Sequence, residues 1–160
     1  MALLVWSCMG VAACSPEDAE AVTPAEGQGT VQTPGTGSDD EQNSQHMKIN
    51  VTVGNRTYTA TLADNVAAQR FLGLLPLELE MVEMNGNEKY AGLPQSLPTE
   101  TYRPGTIREG DLLLWGSSTV VLFYETFSSS YSYTRLGSLD DPSGLAEAVG
   151  RGNVRVTFAR

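Results

Sequence analysis

Two apolar runs near the middle of the chain constrain its fold more than any other feature. Asp111–Trp115 (DLLLW) and Thr119–Thr126 (TVVLFYET) are separated only by Gly116-Ser117-Ser118. Short, nearly continuous apolar runs bounded by turn residues suit strands that are covered on both faces or that line a barrel core. The flanking sequence follows a period of two. Ile49, Val51 and Val53 alternate with Lys48, Asn50 and Thr52, Gly54-Asn55 supplies a two-residue turn, and Tyr58, Ala60 and Leu62 repeat the pattern. Val154, Val156 and Phe158 alternate in the same way near the C-terminal end.

Helical spacing occurs twice. Val66, Ala67, Arg70, Phe71, Leu74 and Leu75 share one stripe behind Asp64, a candidate cap, and Pro76 ends the run. Leu145–Val149 forms a shorter helix, entered through Asp140-Asp141-Pro142-Ser143-Gly144 and closed by Gly150. Leu77, Leu79 and Met81 alternate with Glu78 and Glu80, but Val82 and Met84 fall on the opposite parity, which predicts a strand with a bulge near Met81–Val82. The proline-rich stretch 93–105 is expected to be a long surface loop, and Tyr131–Leu136 a further strand. Many short strands with about two short helices describe a mainly β protein built as a closed barrel.

Charge divides the chain at residue 46. Residues 15–46 hold seven acids and no Lys or Arg, whereas Met47–Arg160 holds 12 acids and 10 bases. Most of the formal charge of −9 therefore belongs to the first segment. A nearly neutral domain whose bases are scattered singly is not patterned for nucleic acid, which requires clustered Lys and Arg. Both cysteines, Cys8 and Cys14, lie early in the chain, and the one histidine, His46, ends the acidic segment. The 47–160 domain therefore has no disulfide, no thiolate, no His-based nucleophile pair and no Cys or His metal site. No metal or cofactor is expected.

Residues 1–13 (MALLVWSCMGVAA) are apolar and too short to span a bilayer as a mature helix, so they read as an export signal. Val11-Ala12-Ala13-Cys14 resembles the lipobox of bacterial lipoproteins: an aliphatic residue, two small residues, then Cys. The resemblance implies lipid on Cys14, a membrane as partner, and a place in the cell envelope facing outside the cytoplasm. It lacks the usual basic residues before the apolar run, which points to a start upstream of Met1. Residues 14–46 are then the lipidated Cys and an acidic, disordered linker. Its Glu, Asp, Gly, Pro, Ser and Gln cannot bury enough surface to offset chain entropy.

Two groups in the domain are candidates for a binding site. Asn85, Asn87, Glu88 and Tyr90 surround the Asn85-Gly86 turn, either as a polar ligand-binding edge or as a hairpin turn whose side chains bond their own backbone. A buried Glu88 would pair with a base such as Arg108 or Arg135. Tyr131 and Tyr133, beside Phe123 or Tyr124, form either an aromatic cleft for a flat ligand or part of the barrel core. Asp140-Asp141 suits a turn and helix start better than a cation site, since two acids supply too few oxygens for calcium. Trp115 reads as packing.

In order, Met84-Asn85-Gly86-Asn87-Glu88-Lys89-Tyr90, Gly110-Asp111-Leu112, Val121-Leu122-Phe123-Tyr124, Tyr131-Ser132-Tyr133-Thr134 and Asp140-Asp141-Pro142-Ser143-Gly144-Leu145 resemble the bacterial cyclophilin-like domain family. The resemblance covers essentially all of 47–160. It implies a closed cyclophilin-type barrel with a helix at each end and leaves the activity open. The peptidyl-prolyl isomerases that share this fold carry an Arg, two Phe, a Gln, a Trp and a His. Carried over, Phe123 matches the second Phe, Val121 stands in place of the Gln, Tyr131 falls where the Trp would be, and no His is nearby. Only Lys89 is basic in Leu77–Tyr90, and a point charge does not replace a planar guanidinium. The resemblance thus favours a peptide or small-ligand binding module. A peptidyl-prolyl isomerase acting on exported proteins is the alternative, and a carboxylate enzyme built on Glu88 is a third.

Overall fold

The computed structural model describes residues 47–160. The signal segment, Cys14, the acidic linker and His46 lie outside the described residues. Strands β1 (Lys48–Val53), β2 (Arg56–Leu62), β3 (Leu77–Met84), β4 (Glu88–Gly92), β6 (Asp111–Trp115), β7 (Thr119–Phe123), β9 (Thr134–Leu139) and β10 (Val154–Ala159) close into a barrel in the order β1-β10-β3-β4-β7-β6-β9-β2. Every pairing is antiparallel. Two three-residue strands, β5 (Gly105–Ile107) and β8 (Phe127–Ser129), pair separately as a ribbon.

Two helices complete the domain. α1 (Val66–Leu72) links the end of β2 to the start of β3, on the side where β10 finishes, as the pairing of Leu77 with Phe158 shows. α2 (Leu145–Val149) links β9 to β10 on the side where β10 begins, so the helices stand at opposite ends of the barrel. Phe71 of α1 meets Phe158 edge-on at 5.5 Å, and Leu145 and Val149 of α2 enter the same core. That core takes the inward row of each strand, including Ile49, Val51, Ala60, Met81, Leu112, Leu114, Val120 and Leu122.

A second apolar cluster lies on the outer face of the wall. Ile107, Leu113, Val121, Phe123 and Tyr133 are buried there, with Tyr90, Tyr102 and Phe127 packed against them. The ribbon supplies Ile107 and Phe127, so β6 and β7 are covered on both faces, which accounts for their unbroken apolar runs.

Several local expectations change. α1 is shorter than its apolar stripe, and its cap is Asn65, which accepts the Ala68 N–H at 2.8 Å, rather than Asp64. β3 pairs without a bulge: its inward row runs Leu77, Leu79, Met81, Glu83, and Val82 and Met84 face outward. Tyr131 lies in a loop and Tyr133 makes a single bridge to Tyr102, so neither belongs to the strand, which begins at Thr134. The 93–105 segment crosses the surface but is pinned by Leu93 and Leu97, whose N–H groups bond Ser118 and Ser117 carbonyls at 2.7 Å.

Candidate functional site

In antiparallel pairs, residues directly opposite share a face. The pairs Met84–Glu88, Val82–Tyr90, Tyr90–Val121, Leu113–Val121 and Trp115–Thr119 therefore set one outward row across β3, β4, β7 and β6. The 131–133 loop leans over this row, leaving a cavity of about 420 Å³. Val121 and Thr119 line it from β7, and Met84, Asn85, Glu88 and Tyr90 from the β3–β4 side. Trp115, Tyr131 and Tyr133 complete the lining.

The aromatic wall is angular. Trp115 meets Tyr131 at 5.7 Å and 86°, and Tyr133 at 5.5 Å and 60°. Tyr133 in turn stands edge-on to Phe123 at 5.8 Å. Phe123 is fully buried beneath this wall, so it supports the cavity without lining it. Trp115 is 46% exposed and Tyr131 62%, so Trp115 packs on the two tyrosines and also presents surface to the cavity.

Among the described residues, Glu88 is the one charged residue lining the cavity. Burial, and then the nearby Glu83 carboxylate, raise its pKa above the ordinary carboxylate value. Among the described residues no base stands within ion-pair distance of it. The expected pairing with Arg108 or Arg135 is not formed, and Arg135 instead lies over the Tyr102 ring at 5.8 Å. Burial also raises the Tyr133 phenol. Asn85 takes a left-handed conformation, φ 57°, in the turn it was read to make, and its side chain lies at the cavity edge. Asn87 does not line the cavity; its side-chain Oδ1 is buried without a hydrogen-bond partner.

Lys89 points the other way. It is fully buried inside the α2 end of the barrel, ion-paired to Glu83 and donating to the Gly150 and Gly152 carbonyls at 2.8 and 2.7 Å. Its ammonium also lies 5.3 Å from the centre of the Tyr124 ring, and the Tyr124 hydroxyl donates to Glu83 at 2.8 Å. Burial raises the Glu83 pKa, but bonds from Lys89, Tyr124 and the Gly86 amide outweigh it and hold the carboxyl below its ordinary value. The Tyr124 phenol is pushed up to about 12, by burial first and then by Glu83.

Asp140 and Asp141 serve structure. Asp140 pairs with Lys48 at 3.2 Å, and Asp141 accepts bonds from the Ser143 amide and hydroxyl at 3.0 and 2.6 Å. No cluster of three metal-ligating side chains occurs among the described residues.

Residues 51–159 match the sequence model of the cyclophilin-like family. The chain belongs to that family. No curated protein matches the sequence. Within this cyclophilin-like barrel, the positions compared with the isomerases now have places. Val121, where the isomerases carry Gln, lines the cavity with an apolar side chain, and Tyr131, where they carry Trp, forms part of its wall. Lys89, the only base in Leu77–Tyr90, is sealed on the other side of β4.

The sequence brought Asn85, Glu88, Tyr90, Tyr131 and Tyr133 forward, and these line the cavity together. It missed Trp115, Met84, Thr119 and Val121 as lining residues. For Trp115 a signal was present: it ends a strand two positions from Leu113, on the same face, at a turn.

Proposed function

We propose that this protein is an extracytoplasmic binding module, held to a bacterial membrane by lipid on Cys14, whose cyclophilin-like barrel presents one aromatic cavity to a peptide or small ligand. The observation that carries the binding role is the exposed aromatic wall. Large rings left in solvent around a concave site cost hydrophobic free energy unless a partner covers them. Here Trp115 and Tyr131 stay open beside a cluster whose Leu113, Val121, Phe123 and Tyr133 are buried. Binding is favoured over isomerase catalysis because no guanidinium reaches the cavity to meet a proline amide as its double-bond character is lost. The raised Glu88 fits a carboxylate enzyme, but among the described residues no second carboxylate and no base lines the cavity to work with it.

Titrating the full chain with a panel of Xaa-Pro peptides and small aromatic fragments, followed by NMR, tests this. Bound probes are expected to move the Trp115 indole signal, and Tyr131→Ala to weaken binding by about tenfold or more. Unchanged affinity in that variant would rule out this face, and accelerated cis/trans exchange of a peptide would make the protein an isomerase.

The anchor is tested separately. Each buried methylene of an acyl chain stabilises membrane binding by ~0.8 kcal/mol, so several chains on one Cys would hold the protein firmly. Cys14→Ser is expected to move the protein from the membrane fraction to the soluble one. A variant that still sediments with membranes would refute the lipid anchor.

A further inference from the structure

The geometry points to an organic cation with an alkylated ammonium head as the ligand of this cavity, seated against the Trp115, Tyr131 and Tyr133 rings and facing the Glu88 carboxylate. This rests on the binding role proposed above and gives that role a ligand class.

Three features converge. Trp115 meets the two tyrosines at 86° and 60°, forming a corner of rings rather than a flat stack. A flat neutral ring can stack on or meet edge-on one wall at a time, whereas a roughly spherical cation is attracted by several aromatic faces at once, through the negative charge that each ring carries on its face. Next, Glu88 brings a half-buried carboxylate to the same cavity, and among the described residues no cation neutralises it. A partly desolvated charge without a partner costs free energy that a bound cation would offset. The adjacent Lys89 is committed elsewhere, to Glu83, Gly150 and Gly152, across the sheet. Finally, no base among the described residues lines the cavity, and Met84 adds a polarizable thioether.

These features favour an alkylated ammonium over a bare one. A primary ammonium is compact and strongly hydrated, so a wall of rings replaces its water poorly. A trimethylammonium group has already lost those donors and gives apolar contact to the rings. The cavity, at about 420 Å³, holds such a head with room for the remainder of a small molecule.

The test compares choline with 3,3-dimethylbutan-1-ol, its uncharged isostere, on the isotope-labelled full chain. The sequence has two tryptophans, Trp6 and Trp115; Trp6 lies in the segment read as an export signal, so the chain from Cys14 onward carries a single indole signal. Choline is expected to move the Trp115 signal, and the isostere to bind about tenfold more weakly or worse. Glu88→Gln, an isosteric change, is expected to weaken choline about tenfold and leave the isostere unaffected. If that variant fails to fold, as circular dichroism would show, Trp115→Leu takes its place and is expected to abolish the choline response. Equal binding of the two probes, or a choline affinity unchanged by the Glu88 or Trp115 change, overturns the cation assignment. If choline has no effect while a peptide or fragment moves Trp115, the cation assignment fails and the binding role stands. If no probe of any charge moves Trp115, both fail.

Discussion

Lys89→Met is expected to destabilise the domain by about 3 kcal/mol, a large share of the roughly 5–15 kcal/mol typical of a domain. Lys89 is the most deeply buried charge described, and all three of its ammonium donors are used: one by Glu83, two by the Gly150 and Gly152 carbonyls. Methionine fills similar space but supplies none of these bonds. Glu83 would lose its counter-charge, and two carbonyls that tie the α2–β10 connection to β4 would lose their donor, each at a cost of about 1 kcal/mol or more. Glu83 keeps a 24% exposed side chain and can draw water, which places the effect at the lower end for a broken buried pair. Urea unfolding measures it directly, and a loss below about 1 kcal/mol would show that the lysine is not holding this end of the barrel. The acid limb gives a second reading. Because bonds from Lys89, Tyr124 and Gly86 hold the Glu83 carboxyl below its ordinary 4.5, its contribution is complete above that value and is lost as pH falls through the lower, folded one. Lys89→Met should flatten that acid dependence. The double variant Glu83→Gln, Lys89→Met should recover part of the loss, since it no longer leaves a charge unpaired, while the carbonyls of Gly150 and Gly152 stay unbonded.

That network also shows where sequence patterning stopped being informative. The parity slip at Val82 suggested a bulge because an inward row was assumed to be apolar throughout. β3 keeps its pleat, and the chemistry inverts instead: at the barrel end the inward position is Glu83, needed by Lys89, while Val82 and Met84 face out toward the cavity side. The alternation of β1, β2 and β10 was legible because each has one wet face and one core face, and the apolar runs of β6 and β7 correctly announced cover on both faces. What supplies that cover was not legible. β5 and β8 are three residues each, too short to carry a period, and they pair across an interval that contains β6 and β7. The cavity shares this limit. Glu88 and Tyr90 were visible as alternate residues after a turn, but Trp115 joins them only through the β4–β7–β6 register, and register over three strands is not written in any local window.

Gly137→Ala is expected to damage the fold at least as much as loss of the buried lysine, although it adds a single methyl group. Gly137 sits in β9 between two neighbours, opposite Leu62 of β2 on one side and Leu112 of β6 on the other, next to the register shift between Leu112 and Leu113. A Cβ there would press against the Thr61 carbonyl oxygen and come within 2.9 Å of the Leu62 Cα. Both are backbone atoms of a strand already paired to β1, so no side-chain rotation relieves the contact. The strands must separate, and the β2–β9 seam, which pairs only Ala60, Thr61 and Leu62, is with β3–β4 one of the two shortest links in the closed order. Overpacking a core commonly costs about 1–3 kcal/mol, and a clash that parts backbones belongs at or above the top of that range. Gly92→Ala is the matched control: it too is a strand glycine, but its Cβ would meet nothing within 4 Å. Alanine at 92 should leave the urea midpoint within about 0.5 kcal/mol of the parent, as surface changes usually do. Alanine at 137 should lower it by about 3 kcal/mol or prevent soluble accumulation. Equal midpoints for the two variants would mean that the seam yields at little cost and that barrel closure does not depend on the missing side chain.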